Sequence, residues 1–162
     1  MKFLQDTGLL PTAEELAPLT DDQNLAILEA LFVTVIVDGK VEQNEVKAFA
    51  VSALTYPWNW GRSPDVIKAK LDAVSTQLKG VTRANMKDHL KNLGTRIPSP
   101  ALREKTFAGM FALMISDGKL DEKEKTAAIG FAQVFEIPQP RAVELIGQVM
   151  SALMKAVDAA KK

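Results

Sequence analysis

An acidic turn is written twice in this chain, as Val37-Asp38-Gly39-Lys40-Val41-Glu42-Gln43-Asn44-Glu45 and as Ser116-Asp117-Gly118-Lys119-Leu120-Asp121-Glu122-Lys123-Glu124. Both copies spell Asp-Gly, any residue, an aliphatic residue, three further residues and Glu, and Asp117 lies 79 residues after Asp38. At the same offset, Leu31-Phe32 corresponds to Met110-Phe111. The simplest interpretation is an internal duplication of one unit made of a helix, an Asp-Gly turn and a second helix. We predict these repeat units at approximately 21–54 and 100–136.

The rest of the chain carries the start and stop signals of helices and lacks runs of alternating β-branched and polar residues. Capping boxes begin at Thr12 and Thr20, Ser-Pro pairs stand at 63–64 and 99–100, and Thr82 and Gly94 are expected to open and close a further short helix. Two segments, one that ends at Val37 and one that ends at Ile115, are apolar nearly all round, which is typical of central helices. The sequence therefore predicts an all-α fold: a compact bundle of seven or eight helices, in a single domain over residues 1–162, with residues 1–11 as an N-terminal arm.

Composition narrows the class of protein. The 162 residues include 20 Lys or Arg and 20 Asp or Glu, so no net charge attracts nucleic acid, and we expect no nucleic-acid partner. The absence of cysteine excludes disulfides and thiol redox chemistry, which favours a reducing compartment. The first residues lack the pattern of a signal peptide, and no apolar run is long enough to span a bilayer. We expect a cytoplasmic protein without a transmembrane segment.

The two Asp-Gly corners allow two interpretations. In the structural one, glycine ends a helix in the left-handed conformation and an acidic residue, Asp121 at the second corner, caps the next helix. In the other, the corner carboxylates bind a divalent cation, because calcium and magnesium prefer hard oxygen ligands. The first half of an EF-hand loop is missing, so a site would need carbonyl groups, waters or both corners. The candidate metal ligands are Asp38, Glu42, Glu45, Asp117, Asp121 and Glu124.

A buried helix followed by Asp-Gly-Lys-aliphatic-x-x-x-Glu, given twice between about Leu25 and Ile137, resembles the tellurite-resistance TerB-like family. The resemblance implies a compact helical domain of tellurite-resistance and stress-response systems, with an acidic surface that holds a divalent metal and engages protein partners. It assigns the metal role to Asp38 and Glu45 in the first copy and to Asp117 and Glu124 in the second, with Glu42 and Asp121 as auxiliary ligands. Tellurite itself is an oxyanion that clustered carboxylates would repel.

One loop is rich in aromatic residues, Tyr56, Trp58 and Trp60. These rings are candidates for a pocket that takes a small apolar or aromatic ligand. The alternative is that they cover the core over a long connection, because aromatic side chains usually supply buried area. We prefer this second interpretation.

No catalytic motif is present. His89 is the only histidine, and without a second histidine or a cysteine it is expected to be solvated rather than to bind metal. The pattern favours a non-catalytic binding or regulatory module with calcium or magnesium at the acidic corners. The alternative is a helical scaffold for a small apolar ligand or a protein partner, with purely structural corners. The last helix carries an apolar stripe that could pair with a second subunit, so a homodimer is considered beside other protein partners.

Overall fold

The computed structural model describes residues 2–36, 43–61, 63–82, 84–115 and 121–161, with the backbone alone for 43–45. After the 3₁₀ helix Lys2–Leu4, the helices are α1 (Ala13–Leu16), α2 (Asp21–Ile36), α3 (Gln43–Ala53), α4 (Pro64–Leu78), α5 (Met86–Arg96), α6 (Pro100–Met114), α7 (Glu122–Val134) and α8 (Gln139–Ala160). No strand occurs among the described residues, so the all-α prediction is confirmed. The internal repeat stays a prediction, because 37–42 and 116–120 lie outside the described residues.

Local capping interactions explain where several helices begin. Thr12 forms a reciprocal capping box with Glu15 at the start of α1. The Ser99 hydroxyl accepts a hydrogen bond from the amide of Leu102 at the start of α6. Asp121 does the same for the amide of Glu124 in α7, at 2.7 Å. These caps satisfy amides that have no partner inside the helix, so the predicted helix starts are confirmed at these positions.

The helices α2 and α6 form the centre of the molecule, and we call them the central pair. They pack against each other, and α2 also contacts α3, α4 and α5, while α6 contacts α7 and α8. Nearly every residue of both helices from Ala26 to Val33 and from Thr106 to Ala112 is buried. An all-round apolar helix needs neighbours on every side, and the surrounding helices supply them.

Two details differ from the sequence predictions. The helix expected to run from Thr82 to Gly94 is α5, which begins at Met86 and continues past Gly94 to Arg96. The residues expected to form only an N-terminal arm include Leu4, which is fully buried in the 3₁₀ helix that packs on α8. The arm therefore adds a side chain to the core, since Leu4 removes apolar surface from water.

Candidate functional site

An open groove of about 2030 Å³ runs along α7, and we call it the α7 groove. Its lining comes from the last turns of α2, α4 and α6, the first turns of α3 and α5, and most of α7. The floor is apolar and includes Ile36, Val46, Met86, Leu90, Met114 and Phe131. Most of these side chains are only partly buried, so a ligand that covered them would remove further apolar surface from water.

The two sides of the α7 groove differ in charge. The α4–α5 side carries the lysines Lys79, Lys87 and Lys91, and the α7 side carries the carboxylates Asp121, Glu122, Glu124 and Glu136, with Lys123 as the exception. Opposite charges on either side of an apolar floor suit an amphipathic ligand, because each flank then orients the complementary flank of the ligand. The groove thus offers a nonpolar contact surface, and its two oppositely charged sides would orient a bound ligand.

The described residues next to both Asp-Gly corners line this same groove. Ile36 and Val46 flank the first corner, and Met114 and Asp121 flank the second. One Asp121 oxygen already accepts the Glu124 amide, as the structural interpretation of this corner expects. The first corner and Asp117 lie outside the described residues, as does the side chain of Glu45, so the cation prediction is not tested there.

Among the described residues, no three His, Asp or Glu side chains are grouped closely enough to hold a metal ion. Of the six candidate ligands, the structure describes the side chains of only two, Asp121 and Glu124. A cation site at the second corner would need ligands from residues that it does not describe, such as Asp117. The calcium or magnesium site therefore stays a prediction.

The three aromatic candidates stack in a row away from the α7 groove. Tyr56 and Trp58 are stacked at 5.1 Å between ring centroids, and Trp58 and Trp60 are stacked at the same distance. Tyr56 and Trp58 are buried, while Trp60 is partly buried beneath the ammonium group of Lys70, 4.8 Å from its centroid. Burial raises the pKa of the Tyr56 hydroxyl. This arrangement agrees with rings that cover the core, and the small-ligand pocket stays the alternative.

A second polar feature, which the sequence analysis missed, lies between α2 and α5. Glu29 is only 1 % exposed although it carries a carboxylate. Its Oε1 lies 3.5 Å from Nε2 of His89, and its Oε2 lies 3.5 Å from Nη1 of Arg96. Arg96 is bound more closely by Asp22, with Nη2 to Oδ1 at 2.9 Å and Nε to Oδ2 at 3.1 Å. We call these four residues the α2–α5 cluster.

The placement of His89 corrects the expectation of a solvated histidine. Its side chain is 21 % exposed, but Nε2 is buried and faces Glu29. A sequence signal for the cluster exists in the spacing, because Asp22 and Glu29 are seven residues apart on α2 and His89 and Arg96 are seven apart on α5. Residues seven apart lie on the same helix face, so two such pairs can meet across one interface.

Burial is the main influence on the Glu29 carboxyl and raises its pKa above the ordinary value. The positive charges of His89 and Arg96 lower this pKa in part, and the negative charge of Asp22 adds to the rise. A buried carboxylate without complete hydrogen bonding is costly, so Glu29 depends on its contacts with Arg96 and His89. The cluster therefore links the charge state of α5 to a buried group on the central helix α2.

No family model matches this chain, and no curated protein or solved structure matches it significantly. The resemblance to the TerB-like family stays a prediction from the motif. None of the described helices is both long and apolar enough to cross a membrane.

Proposed function

We propose that this chain is a non-catalytic binding module whose α7 groove takes an amphipathic helix of a protein partner. The observation that carries this proposal is the partly buried apolar floor between a lysine side and a carboxylate side. A helix with apolar residues at i, i+3, i+4 and i+7 fits such a groove and gains affinity from the area it covers. Met86 and Met114 on the floor are flexible side chains that can adapt to the partner.

The test uses labelled helical peptides of about 18 residues, long enough to span several turns. One peptide carries an apolar stripe with glutamates on one flank and lysines on the other, and contains no histidine. We expect it to bind at least about tenfold more tightly than peptides with glutamates on both flanks or lysines on both flanks. Fluorescence anisotropy measures the affinities, and equal binding of all three peptides would contradict the proposal.

A pair of matched variants locates the binding. Met86→Glu places a carboxylate on the groove floor, at the first residue of α5, where a negative charge suits the helix. Val51→Glu places the same group on α3 at a side chain that is 67 % exposed and does not line the groove. The first should weaken peptide binding about tenfold and the second should leave it unchanged. Binding of a small aromatic compound with no binding of peptides would favour the small-ligand alternative.

A divalent cation is our second proposed ligand, with calcium or magnesium held by carboxylates of the corners, including Asp38 and Glu45 or Asp117 and Glu124. The support is the motif itself and the fact that residues flanking both corners line one groove. Cation binding should raise the melting temperature as free ion increases, and Asp117→Asn with Glu124→Gln should remove that effect. Asp158→Asn on α8 is the control. No shift at about 5 mM ion would overturn this proposal.

The biological setting remains part of the proposal. The TerB-like resemblance suggests a cytoplasmic role in tellurite resistance or another stress response. Thiol reduction of tellurite by this chain is excluded because it has no cysteine. A role through binding, with the cation or the partner as the signal, is consistent with these residues.

We further propose that α8 contributes to a homodimer. Four of its apolar side chains are exposed at helical spacing on one face, Val143, Met150, Met154 and Val157. Two such faces can pack in an antiparallel pair, because these residues are seven, four and three positions apart, which is heptad spacing. Sedimentation analysis should show a dimer that Met154→Glu dissociates and Val51→Glu does not. A monomer at all concentrations would contradict this proposal.

A further inference from the structure

We propose that Glu29 and His89 form a clasp between α2 and α5 that closes when His89 is protonated and thereby holds the α5 side of the α7 groove in place. This inference concerns regulation of the groove and rests on the proposed binding function.

The first observation is that Glu29 makes only long contacts with its charged neighbours on α5. Glu29 Oε1 and His89 Nε2 are both buried, face each other at 3.5 Å, and have no hydrogen-bond partner among the described residues. Arg96 gives Glu29 only a 3.5 Å contact because its closer hydrogen bonds go to the carboxylate and carbonyl of Asp22. A small approach of α5 to α2 would turn the Glu29–His89 contact into a charge-assisted hydrogen bond.

The second observation concerns the two halves of α5. The C-terminal half is fixed by Arg96 and by Gly94, where an added Cβ would lie 3.0 Å from Cδ1 of the Phe135 ring on the α7 side. The N-terminal half carries Met86, Lys87, Leu90 and Lys91 of the groove wall. His89 is the residue of this half for which the structure shows an ionic contact with α2. The clasp therefore acts on the half of α5 that shapes the groove.

The charges around Glu29 and His89 determine whether a rise in pH strengthens or weakens the clasp. Glu29 is faced by His89 and Arg96 from α5 and by Asp22 on its own helix, and α7 presents the Phe135 ring and the Val134 carbonyl to α5 at Gly94. Histidine is the side chain whose charge changes between about pH 5 and pH 8, and His89 is the only one in the chain. A proton on His89 places a cation opposite the buried carboxylate of Glu29. Without that proton, Glu29 keeps only the long contact with Arg96.

Hydrogen exchange of the first half of α5 tests the clasp directly. After correction for intrinsic rates, the protein should show about fivefold greater protection at about pH 6 than at about pH 8. His89→Lys keeps a cation at both pH values and should give the high protection throughout. His89→Gln has no charge and should give the low protection throughout. Equal protection of the unmodified protein at both pH values, or a pH difference retained in His89→Gln, overturns the proposal.

Peptide binding tests the link to the groove. The unmodified protein should bind the mixed-charge peptide about fivefold more tightly at about pH 6 than at about pH 8, because a preformed wall lowers the cost of binding. His89→Lys and His89→Gln should each bind it equally at both pH values. If exchange follows the expected pattern but binding is independent of pH, regulation of the groove is overturned. If the peptide does not bind at any pH, the proposed function fails, and the exchange result still decides the clasp.

Discussion

The central helices α2 and α6 correspond to each other in the predicted repeat, but their buried polar groups differ in how they are satisfied. At the offset of 79 residues, Glu29 of α2 corresponds to Ala108 of α6, and both positions are buried. The buried polar residue of α6 is Thr106, whose hydroxyl donates to the carbonyl of Leu102 in the same helix at 2.7 Å. Because Thr106 is satisfied locally, α6 needs only apolar neighbours, whereas α2 also needs the cations of α5.

This difference separates a core role from a connecting role. The buried residues of α6 require only neighbours of complementary shape and volume. The buried residues of α2 also require a positive charge at a defined position, because Glu29 is among them. This requirement makes the contact between α2 and α5 specific and sensitive to pH. Met86, Lys87, Leu90 and Lys91 of α5 line the α7 groove, so the helix that carries His89 and Arg96 also forms part of the groove wall.

The largest expected effect compares two phenylalanines at matching positions of the central pair. Phe111→Ala should destabilise the protein by about 4 kcal/mol, because the ring is 1 % exposed and leaves a cavity. Phe32→Ala should cost about 3 kcal/mol, since Phe32 lines the open α7 groove and its loss would widen that groove rather than leave a closed cavity. Urea denaturation measures both values. A larger loss at Phe32 would mean that α2, and not α6, dominates the core.

The next effect tests the dependence of α2 on α5. Arg96→Gln should destabilise the protein by about 2 kcal/mol, because Glu29 then stays buried with only His89 beside it. Arg141→Gln is the control, since Arg141 pairs with Glu104 and Glu144 in a more exposed setting and should cost less than about 1 kcal/mol. Equal losses in urea denaturation would show that the α2–α5 cluster contributes no more than a surface ion pair.

Much of this architecture could be predicted because helix ends are encoded locally. The expected starts at Ser99 and Asp121 match the structure, since a hydroxyl or carboxylate finds the amide three residues ahead. The helix start expected at Thr82 is wrong, although Thr82 does form the hydrogen bonds that are typical of a helix cap. Thr82 and Asn85 exchange side-chain and backbone hydrogen bonds in a turn that precedes α5.

The features that could not be predicted from the sequence depend on tertiary contacts. Glycine often marks the end of a helix, so a stop is expected at Gly94. Instead α5 continues through Gly94, and the Phe135 ring packs against the position that a side chain would occupy. The α2–α5 cluster has a spacing signal, yet that signal does not say which helices meet. The groove likewise needs the ends of five helices beside α7, and no local pattern specifies this.

A smaller effect appears in the pH dependence of stability. The pKa of Glu29 is raised in the folded state, so its contribution is fully present below the unfolded value of about 4.5 and is lost as pH rises through the folded value. Stability of the unmodified protein relative to Glu29→Gln should therefore fall as pH rises above about 4.5. Urea denaturation across this range measures the difference. Asp158→Asn, at an exposed side chain on α8 outside the α2–α5 cluster, is the control and should leave this fall unchanged.

The smallest effect compares how the two central helices begin. Thr20 accepts from the Gln23 amide at 3.1 Å, and its own amide donates to the Gln23 side chain at 3.0 Å, which makes two bonds. Ser99 makes one such bond, to the Leu102 amide. Each alanine leaves one helix amide without its hydroxyl cap, and alanine at 20 keeps the backbone amide that donates to the Gln23 side chain. Thr20→Ala should cost about 1 kcal/mol and Ser99→Ala about 0.5 kcal/mol, because α6 keeps Pro100 at its first residue.

Thermal or urea unfolding can resolve this pair if both variants are measured together, and Thr20→Ser is the control that keeps the hydroxyl. Since Pro100 follows Ser99 and presets the first helical residue, α6 has a second start signal that α2 lacks. A larger loss at Ser99 would show that this proline does not compensate for the missing cap. It would also mean that α6 depends more than α2 on local signals, which would reverse the division of roles between the two helices.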